Sequence, residues 1–132
     1  MLKLLFIALG GAAGTLLRYG ISGISYGFSD GVFPFGTLVV NLSGAFTIGF
    51  LWGLFEGSNI SSTVRTPIFV GILGGYTTFS TYALESFNLI RNKEYKIALI
   101  NILASNIFGI SLVFTGFIIS KLLIANLKGA QY

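Results

Sequence analysis

The charged residues of the chain are few and widely spaced, and they divide it into long uncharged stretches. Residues 31–55, 66–84 and 97–120 carry no charge, and residues 4–29 carry only Arg18. A helix needs about 20 predominantly apolar residues to cross a bilayer. The pattern therefore predicts an all-α membrane protein with four transmembrane helices. Their predicted limits are about 4–26, 34–55, 66–90 and 97–121.

The connections between these spans are short, so residues 1–132 are interpreted as a single transmembrane domain. Hydrophobic residues make up 54% of the chain and charged residues 9%, whereas a soluble domain carries about 25% charged residues. The chain contains no cysteine and no histidine, which excludes Ser–His and Cys–His catalysis and metal binding by histidine. We therefore predict a multi-pass protein of the cell membrane that is not an enzyme.

The net charge of +4 is interpreted as Lys and Arg that flank membrane spans. No basic stripe interleaved with aromatic residues indicates a nucleic-acid partner. With four spans, one side of the membrane receives Lys3, Arg65, Lys121 and Lys128, and the other receives Arg91, Lys93 and Lys96. Since Lys and Arg asymmetry sets orientation, this near balance predicts insertion both ways. Two oppositely inserted copies could then pair about an axis in the membrane plane.

Three pairs of glycines lie four residues apart within the predicted spans. Such spacing lets helix backbones approach closely in lipid. The pairs are Gly10 and Gly14, Gly49 and Gly53, and Gly71 and Gly75. For most of them, the favoured interpretation is ordinary packing between helices of one subunit.

The stretch GGYTTFSTYALES, residues 74–86, places two glycines and several hydroxyl residues at bilayer depth. We predict that the third span is broken near Gly74–Thr78. A break at this depth is tolerated only where it is buried in protein or lines a cavity, and its free carbonyls are suitable cation ligands. Beyond the break, Phe79 and Tyr82 share a helix face. They either pack in the protein or present their positive ring edges to an anion.

Other polar residues inside the spans have both a structural and a functional interpretation. Arg18 either extends to the membrane surface or faces protein or a water-filled vestibule. Thr37 and Asn41 are four apart on one helix face, where Asn41 either bonds a neighbouring helix or points an amide N–H into an ion path. Glu85 is the only carboxylate inside a predicted span, and its structural interpretation is an interfacial residue near the end of the third span. Asn101 and Ser105 begin a polar stripe that should face protein or a pore.

Four motifs along the chain together carry a resemblance to a known family. GGAAGTLLRYG, GTLVVNLSG, GGYTTFSTYALES and the spacing of Ser105, Gly109 and Gly116 resemble the small fluoride channels of the Fluc/CrcB family over nearly the whole chain. The resemblance implies an antiparallel, dual-topology homodimer with two pores. It also implies passive, selective fluoride export across a microbial plasma or inner membrane, which relieves fluoride toxicity, and a structural sodium ion at the dimer centre.

The resemblance also implies roles for individual residues. The sodium would bind to the backbone carbonyls of Gly74 and Thr77. The buried or vestibule charges would be Arg18 and Glu85. The pore-lining residues would be Asn41, Phe79, Tyr82, Ser105, Ser80 and Thr37.

Two positions depart from the family pattern, which usually has phenylalanine where this chain has Tyr82 and often tyrosine where it has Asn101. These departures keep open the alternative that the chain is the partner subunit of a heterodimeric fluoride channel. A non-conducting assembly subunit of a membrane complex is a further alternative. A proton-coupled multidrug exporter of this size would need an acid in its first span, where this chain has Arg18.

Overall fold

The computed structural model describes residues 1–27 and 32–129, and their regular structure is helical. In chain order the elements are α1 (Leu2–Gly27), α2 (Phe35–Phe55), α3 (Ser62–Thr66), a π-helical segment (Pro67–Leu73), α4 (Gly74–Tyr76), α5 (Phe79–Arg91) and α6 (Tyr95–Gly129). Asp30 in the first predicted loop and residues 130–132 lie outside the described residues.

Three helices contain stretches that are long and apolar enough to cross a membrane. These stretches are Leu2–Ile24, Phe35–Phe55 and Tyr95–Leu127, and they correspond to the first, second and fourth predicted spans. The last helix extends past Lys121, the predicted end, and that lysine forms an ion pair of 2.6 Å with Glu56.

The third predicted span is interrupted where the hydroxyl residues begin. Between α4 and α5 the backbone becomes extended, with ψ of 156° at Thr77 and φ of −146° at Thr78. The predicted break is thus confirmed, but the glycines before it do not form it. Gly74 keeps helical angles, with φ of −65° and ψ of −35°.

The segment before the break is wound as a π-helix that begins at Pro67. The N–H of Gly74 bonds to the carbonyl of Phe69 as well as to that of Gly71. A bond reaching five residues back is the defining feature of the π-helix, which is rare and frequently found near functional sites.

Glycines allow α1 to lie directly against the segment that precedes the break. A Cβ atom on Gly75 would lie 2.6 Å from the Gly11 carbonyl oxygen, and one on Gly14 would collide with the Ile72 carbonyl. Backbone therefore meets backbone along this contact. The pairs Gly10–Gly14 and Gly71–Gly75 serve packing within one chain, as predicted.

A second set of small residues joins α2 to α6. A Cβ on Gly49 would collide with the Val113 carbonyl, and one on Gly53 would collide with the Ser120 hydroxyl. The third glycine pair is therefore also an intrachain packing site. Because two neighbours of the broken segment are fixed by close contacts, the break occupies a defined position between helices.

Few apolar side chains are buried in the described part of the chain. The buried hydrophobic residues are Val40, Leu73, Leu89 and Ala98, whereas large apolar side chains are exposed along every long helix. Such a surface is suited to lipid tails and to other membrane-embedded protein, not to water. The fold is that of a multi-pass membrane protein.

Candidate functional site at the helix break

The Asn41 side chain on α2 holds the break in place. Its Nδ2 donates to the Thr78 carbonyl oxygen at 2.9 Å, and its Oδ1 accepts from the Thr78 N–H at 2.8 Å. Thr78 is only 7% exposed, so water cannot replace these bonds. One side-chain amide therefore satisfies both backbone groups that the interrupted helix leaves at this residue.

The Thr78 side chain starts the next helix. Its Oγ1 accepts from the Thr81 N–H at 3.2 Å and donates to Thr81 Oγ1 at 2.9 Å. This is the capping arrangement that satisfies a free N–H in the first turn of a helix. Ser80 lies farther away, with its Oγ at 3.4 Å from Thr78 Oγ1, and its side chain is exposed. At least one of the hydroxyl residues in 74–86, Thr78, therefore stabilises the helix break itself.

The same bonds remove the usual helical donors of two carbonyl groups. In an α-helix each carbonyl accepts from the N–H four residues later. The donor for Gly74 would be the Thr78 N–H, which bonds to Asn41 instead. The donor for Thr77 would be the Thr81 N–H, which bonds to Thr78. These are the two carbonyls that the resemblance assigns to a cation.

A groove of about 430 Å³ runs beside the break, between the broken segment, α2 and α6. It contains three of the predicted pore residues, Asn41, Phe79 and Ser105, together with Gly74 and Thr77. The other lining residues are Gly44, Ala45, Ile48, Phe69, Leu73, Thr78, Asn106, Gly109, Ile110 and Val113. The groove is therefore mostly apolar, with a few polar groups near the break.

Two of those polar groups retain hydrogen-bonding capacity. The Ser105 Oγ is shielded from solvent and makes no hydrogen bond with the residues that the structure describes. The Asn41 Nδ2 carries two hydrogens, and the Thr78 carbonyl uses one of them. An amide N–H and a hydroxyl are therefore present on the same groove, beside the exposed ring of Phe79.

The aromatic pair Phe79 and Tyr82 stands at the start of α5, and their ring centroids are 5.7 Å apart. The Tyr82 hydroxyl accepts a hydrogen bond of 3.1 Å from Nδ2 of Asn106 on α6. The pore predictions did not include Asn106. Its position beside Ser105 in an apolar helix was the only sequence signal.

Two further polar pairs pack α5 against its neighbours. Thr37 is 4% exposed and donates to Glu85 Oε1 at 2.8 Å. Asn101 is 2% exposed, and its Nδ2 donates to Ser86 Oγ at 3.0 Å. Thr37 and Glu85 are thus brought together one turn away from Asn41, whereas Asn101 bonds to α5 and is separate from the groove that contains Ser105.

Arg18 is half-buried on α1 and is not among the groove-lining residues. Within the described part of the chain, no hydrogen bond or ion pair joins it to another side chain. A second arginine has a partner that the sequence pattern did not reveal. The Arg65 guanidinium lies 4.4 Å from the centre of the Trp52 ring, an arrangement that stabilises a cation near the end of α2.

Together these features define a class: a small multi-pass helical membrane protein in which a side-chain amide holds a broken helix beside a polar groove. The chain belongs to the CrcB family, since the family described as CrcB-like protein, Camphor Resistance (CrcB), matches residues 5–117.

Curated relatives cover almost the whole chain, and each is named Fluoride-specific ion channel FluC. The protein of Parabacteroides distasonis is 45% identical over 97% of this chain and 100% of its own length. That of Desulforapulum autotrophicum is 44% identical over 92% of this chain and 98% of its own. That of Pyrococcus abyssi is 44% identical over 89% and 94%, respectively.

Proposed function

We propose that this protein is a fluoride-selective ion channel that lets fluoride leave the cell passively and so lowers cytoplasmic fluoride and its toxicity. The names of its relatives support this function. The observation that carries it is the groove beside the break, where the Asn41 amide and the Ser105 hydroxyl retain donor capacity at membrane depth. The protein acts as a channel and not as an enzyme.

The groove chemistry suits a small anion that must lose water. A conducting site has to replace the hydration shell and still bind weakly enough to release the ion. Asn41 offers one N–H and Ser105 one O–H, while the ring of Phe79 offers a positive edge. A few neutral donors meet this requirement better than a fixed positive charge would, because an arginine or lysine in the path would hold the anion too strongly.

The proposed assembly is an antiparallel, dual-topology homodimer with four spans in each subunit. The interrupted segment from Ser62 to Arg91 supplies the span that the three continuous helices leave missing. The near balance of Lys and Arg between the two sides of the membrane supports insertion both ways. Exposed apolar side chains on every long helix provide surface for a second copy as well as for lipid.

A structural sodium ion at the dimer centre completes the proposal. The carbonyls of Gly74 and Thr77 would hold it, because their usual helical donors bond elsewhere. Two copies would present four such oxygens, and oxygen atoms are the ligands that hard cations prefer. The ion would offset repulsion between the carbonyls and join the two breaks.

The sodium proposal predicts a cation-dependent dimer. Replacing sodium by the bulky cation N-methyl-D-glucamine should increase the dissociation of diluted, detergent-solubilised dimers, because this cation is too large to fit between the four carbonyls. The measurement is the dimer fraction by cross-linking at a series of times after dilution. Equal dissociation in both cations would exclude a structural sodium ion.

The test of the function is fluoride efflux from liposomes that contain this protein alone, with chloride efflux as the internal control. We expect rapid fluoride release and no chloride release. If well-folded dimers released neither fluoride nor chloride, this result would contradict the homodimeric channel. Recovery of flux on adding a paralogue would then identify a partner subunit, and continued silence would identify a non-conducting assembly subunit.

Replacing Phe79 by isoleucine should reduce fluoride efflux at least tenfold without preventing dimer formation. The aliphatic side chain fills the groove but has no positive ring edge. The exposed Phe87, on the same helix, provides a matched control, since Phe87→Ile also removes a ring but lies outside the groove. Efflux from Phe79→Ile equal to that of the wild type would contradict the role of the ring.

A further inference from the structure

The hydrogen bonds of Asn106 determine how Tyr82 can use its hydroxyl group. The Asn106 Nδ2 donates to the Tyr82 hydroxyl oxygen at 3.1 Å and to the Ile102 carbonyl at 2.8 Å. An amide nitrogen has two hydrogens, so both are used. Because the bond to Ile102 ties the amide to its own helix, the Asn106 side chain is held in one orientation.

The Tyr82 hydroxyl is therefore an acceptor toward Asn106 and keeps its own hydrogen. A phenol has a single O–H, and no described residue accepts a hydrogen bond from it. The group is thus oriented as a donor. The Asn106–Tyr82 contact is exposed, so this O–H can donate to an acceptor that comes from outside the chain.

The location of this donor points to the same occupant as the groove. Asn106 lines the groove next to Ser105, whose Oγ also makes no bond with the described residues. The Phe79 ring, which lies in the groove wall, is 5.7 Å from the Tyr82 ring. Tyr82 is not itself a lining residue, but its hydroxyl is 3.1 Å from Nδ2 of Asn106, which lines the groove together with Ser105 and Asn41. No carboxylate is among the lining residues.

We propose that Tyr82 donates its hydroxyl hydrogen directly to fluoride in the groove, and that Asn106 is the positioning residue that fixes this orientation. The inference rests on the proposed channel function and deepens it by adding a ligand to the ion path. It gives the tyrosine at this position a chemical role that a phenylalanine could not fill, because phenylalanine has a ring edge but no O–H.

The first test compares wild type, Tyr82→Phe, Asn106→Leu and the double variant in fluoride efflux at increasing fluoride concentrations. A hydrogen bond to a charged group is lost in Tyr82→Phe, so the half-saturating fluoride concentration should increase about tenfold. Asn106→Leu should also raise it. The double variant should match Tyr82→Phe, because Asn106 acts through the hydroxyl. If Asn106 had only a structural role, Asn106→Leu would raise the half-saturating concentration by the same factor in the wild type and in Tyr82→Phe.

A matched control is Tyr19→Phe, which removes a phenol hydroxyl from an exposed residue of α1 outside the groove. Its half-saturating concentration should equal that of the wild type. Identical half-saturating concentrations in wild type and Tyr82→Phe would overturn the inference, and the hydroxyl would then be hydrated by water. Dimer fractions of all variants, measured by cross-linking, separate loss of assembly from loss of the ligand.

The second test does not depend on conduction. Fluoride titration of the purified protein should change the ultraviolet absorption of a phenol, and Tyr82→Phe should abolish this change while chloride produces none. Silent wild-type liposomes together with this signal would overturn the channel function and support fluoride binding by Tyr82. Conducting liposomes without a fluoride-dependent signal would support the channel function and overturn the role of Tyr82.

Discussion

Replacing Asn41 by alanine should stop fluoride flux and destabilise the folded chain. The substitution removes both hydrogen bonds to the Thr78 backbone, at 2.9 and 2.8 Å. Thr78 is only 7% exposed. Leaving a buried N–H or C=O unsatisfied costs about 1–3 kcal/mol for each group. The break would then relax toward other partners, and the groove would lose an N–H donor as well as its shape.

The measurements are fluoride efflux and the free energy of unfolding in denaturant, with Asn59→Ala as the matched control. Asn59 lies in the exposed connection between α2 and α3, so its replacement should change neither quantity. Loss of flux from Asn41→Ala with unaltered stability would mean that the amide serves the ion and not the break. Unaltered flux and stability would contradict both roles.

Replacing Gly14 by valine should prevent the chain from reaching its folded dimer. Even the first carbon of a side chain here would collide with the Ile72 carbonyl and lie 2.9 Å from the Tyr76 N–H nitrogen. Overpacking typically costs about 1–3 kcal/mol. The cost here should lie at or above the upper limit, because the obstacle is backbone and cannot change rotamer. α1 would have to separate from the segment that carries the break.

Gly20→Val is the matched control for Gly14→Val, because it lies on the same helix and a Cβ there meets nothing within 4 Å. We expect Gly20→Val to be produced and to assemble like the wild type, and Gly14→Val to appear as aggregate or monomer in size-exclusion chromatography. A normal yield of dimeric Gly14→Val would show that α1 does not need this close contact.

The spans could be predicted because charge is so costly inside a bilayer that its absence marks them. The ends of the helices were less predictable where a charged residue lies within a helix. α6 continues to Gly129, beyond the predicted end at Lys121, because a lysine marks where charge returns to the sequence but does not end a helix. Lys121 pairs with Glu56. This contact joins α6 to the residue that follows the end of α2, so no pattern within one helix could reveal it.

The break was predicted near the right residues for a reason that proved incomplete. Paired glycines and hydroxyls indicated a weak helix, yet Gly74 remains helical and Gly75 lies against α1. The interruption is stabilised by the amide of Asn41, which is 37 positions before Thr78 in the chain. The sequence identified both participants as unusual polar groups, but their pairing depends on helix packing.

The polar residues Asn101 and Ser105 of α6 also show that contacts between helices cannot be predicted from spacing along one helix. Asn101 and Ser105 were expected to share a face, and helical geometry does place residues four apart near each other. In the structure, Asn101 bonds to Ser86, whereas Ser105 lies in the groove. Asn101 faces α5, whereas Ser105 faces the groove beside the break, so spacing alone could not assign both residues to one site.

The π-helical segment makes the number of residues before the break as important as their identity. Its hydrogen bonds reach back five residues instead of four, so each residue turns the chain by less than the about 100° of an α-helix. If the seven residues Pro67–Leu73 were wound as regular α-helix, all that follows would be rotated, and Thr78 would turn away from Asn41. Loss of one residue from the segment would compensate for this rotation, because an α-helix one residue shorter turns the chain about as far. Relatives of this chain should therefore either keep the π-helical winding or lack one residue in this segment.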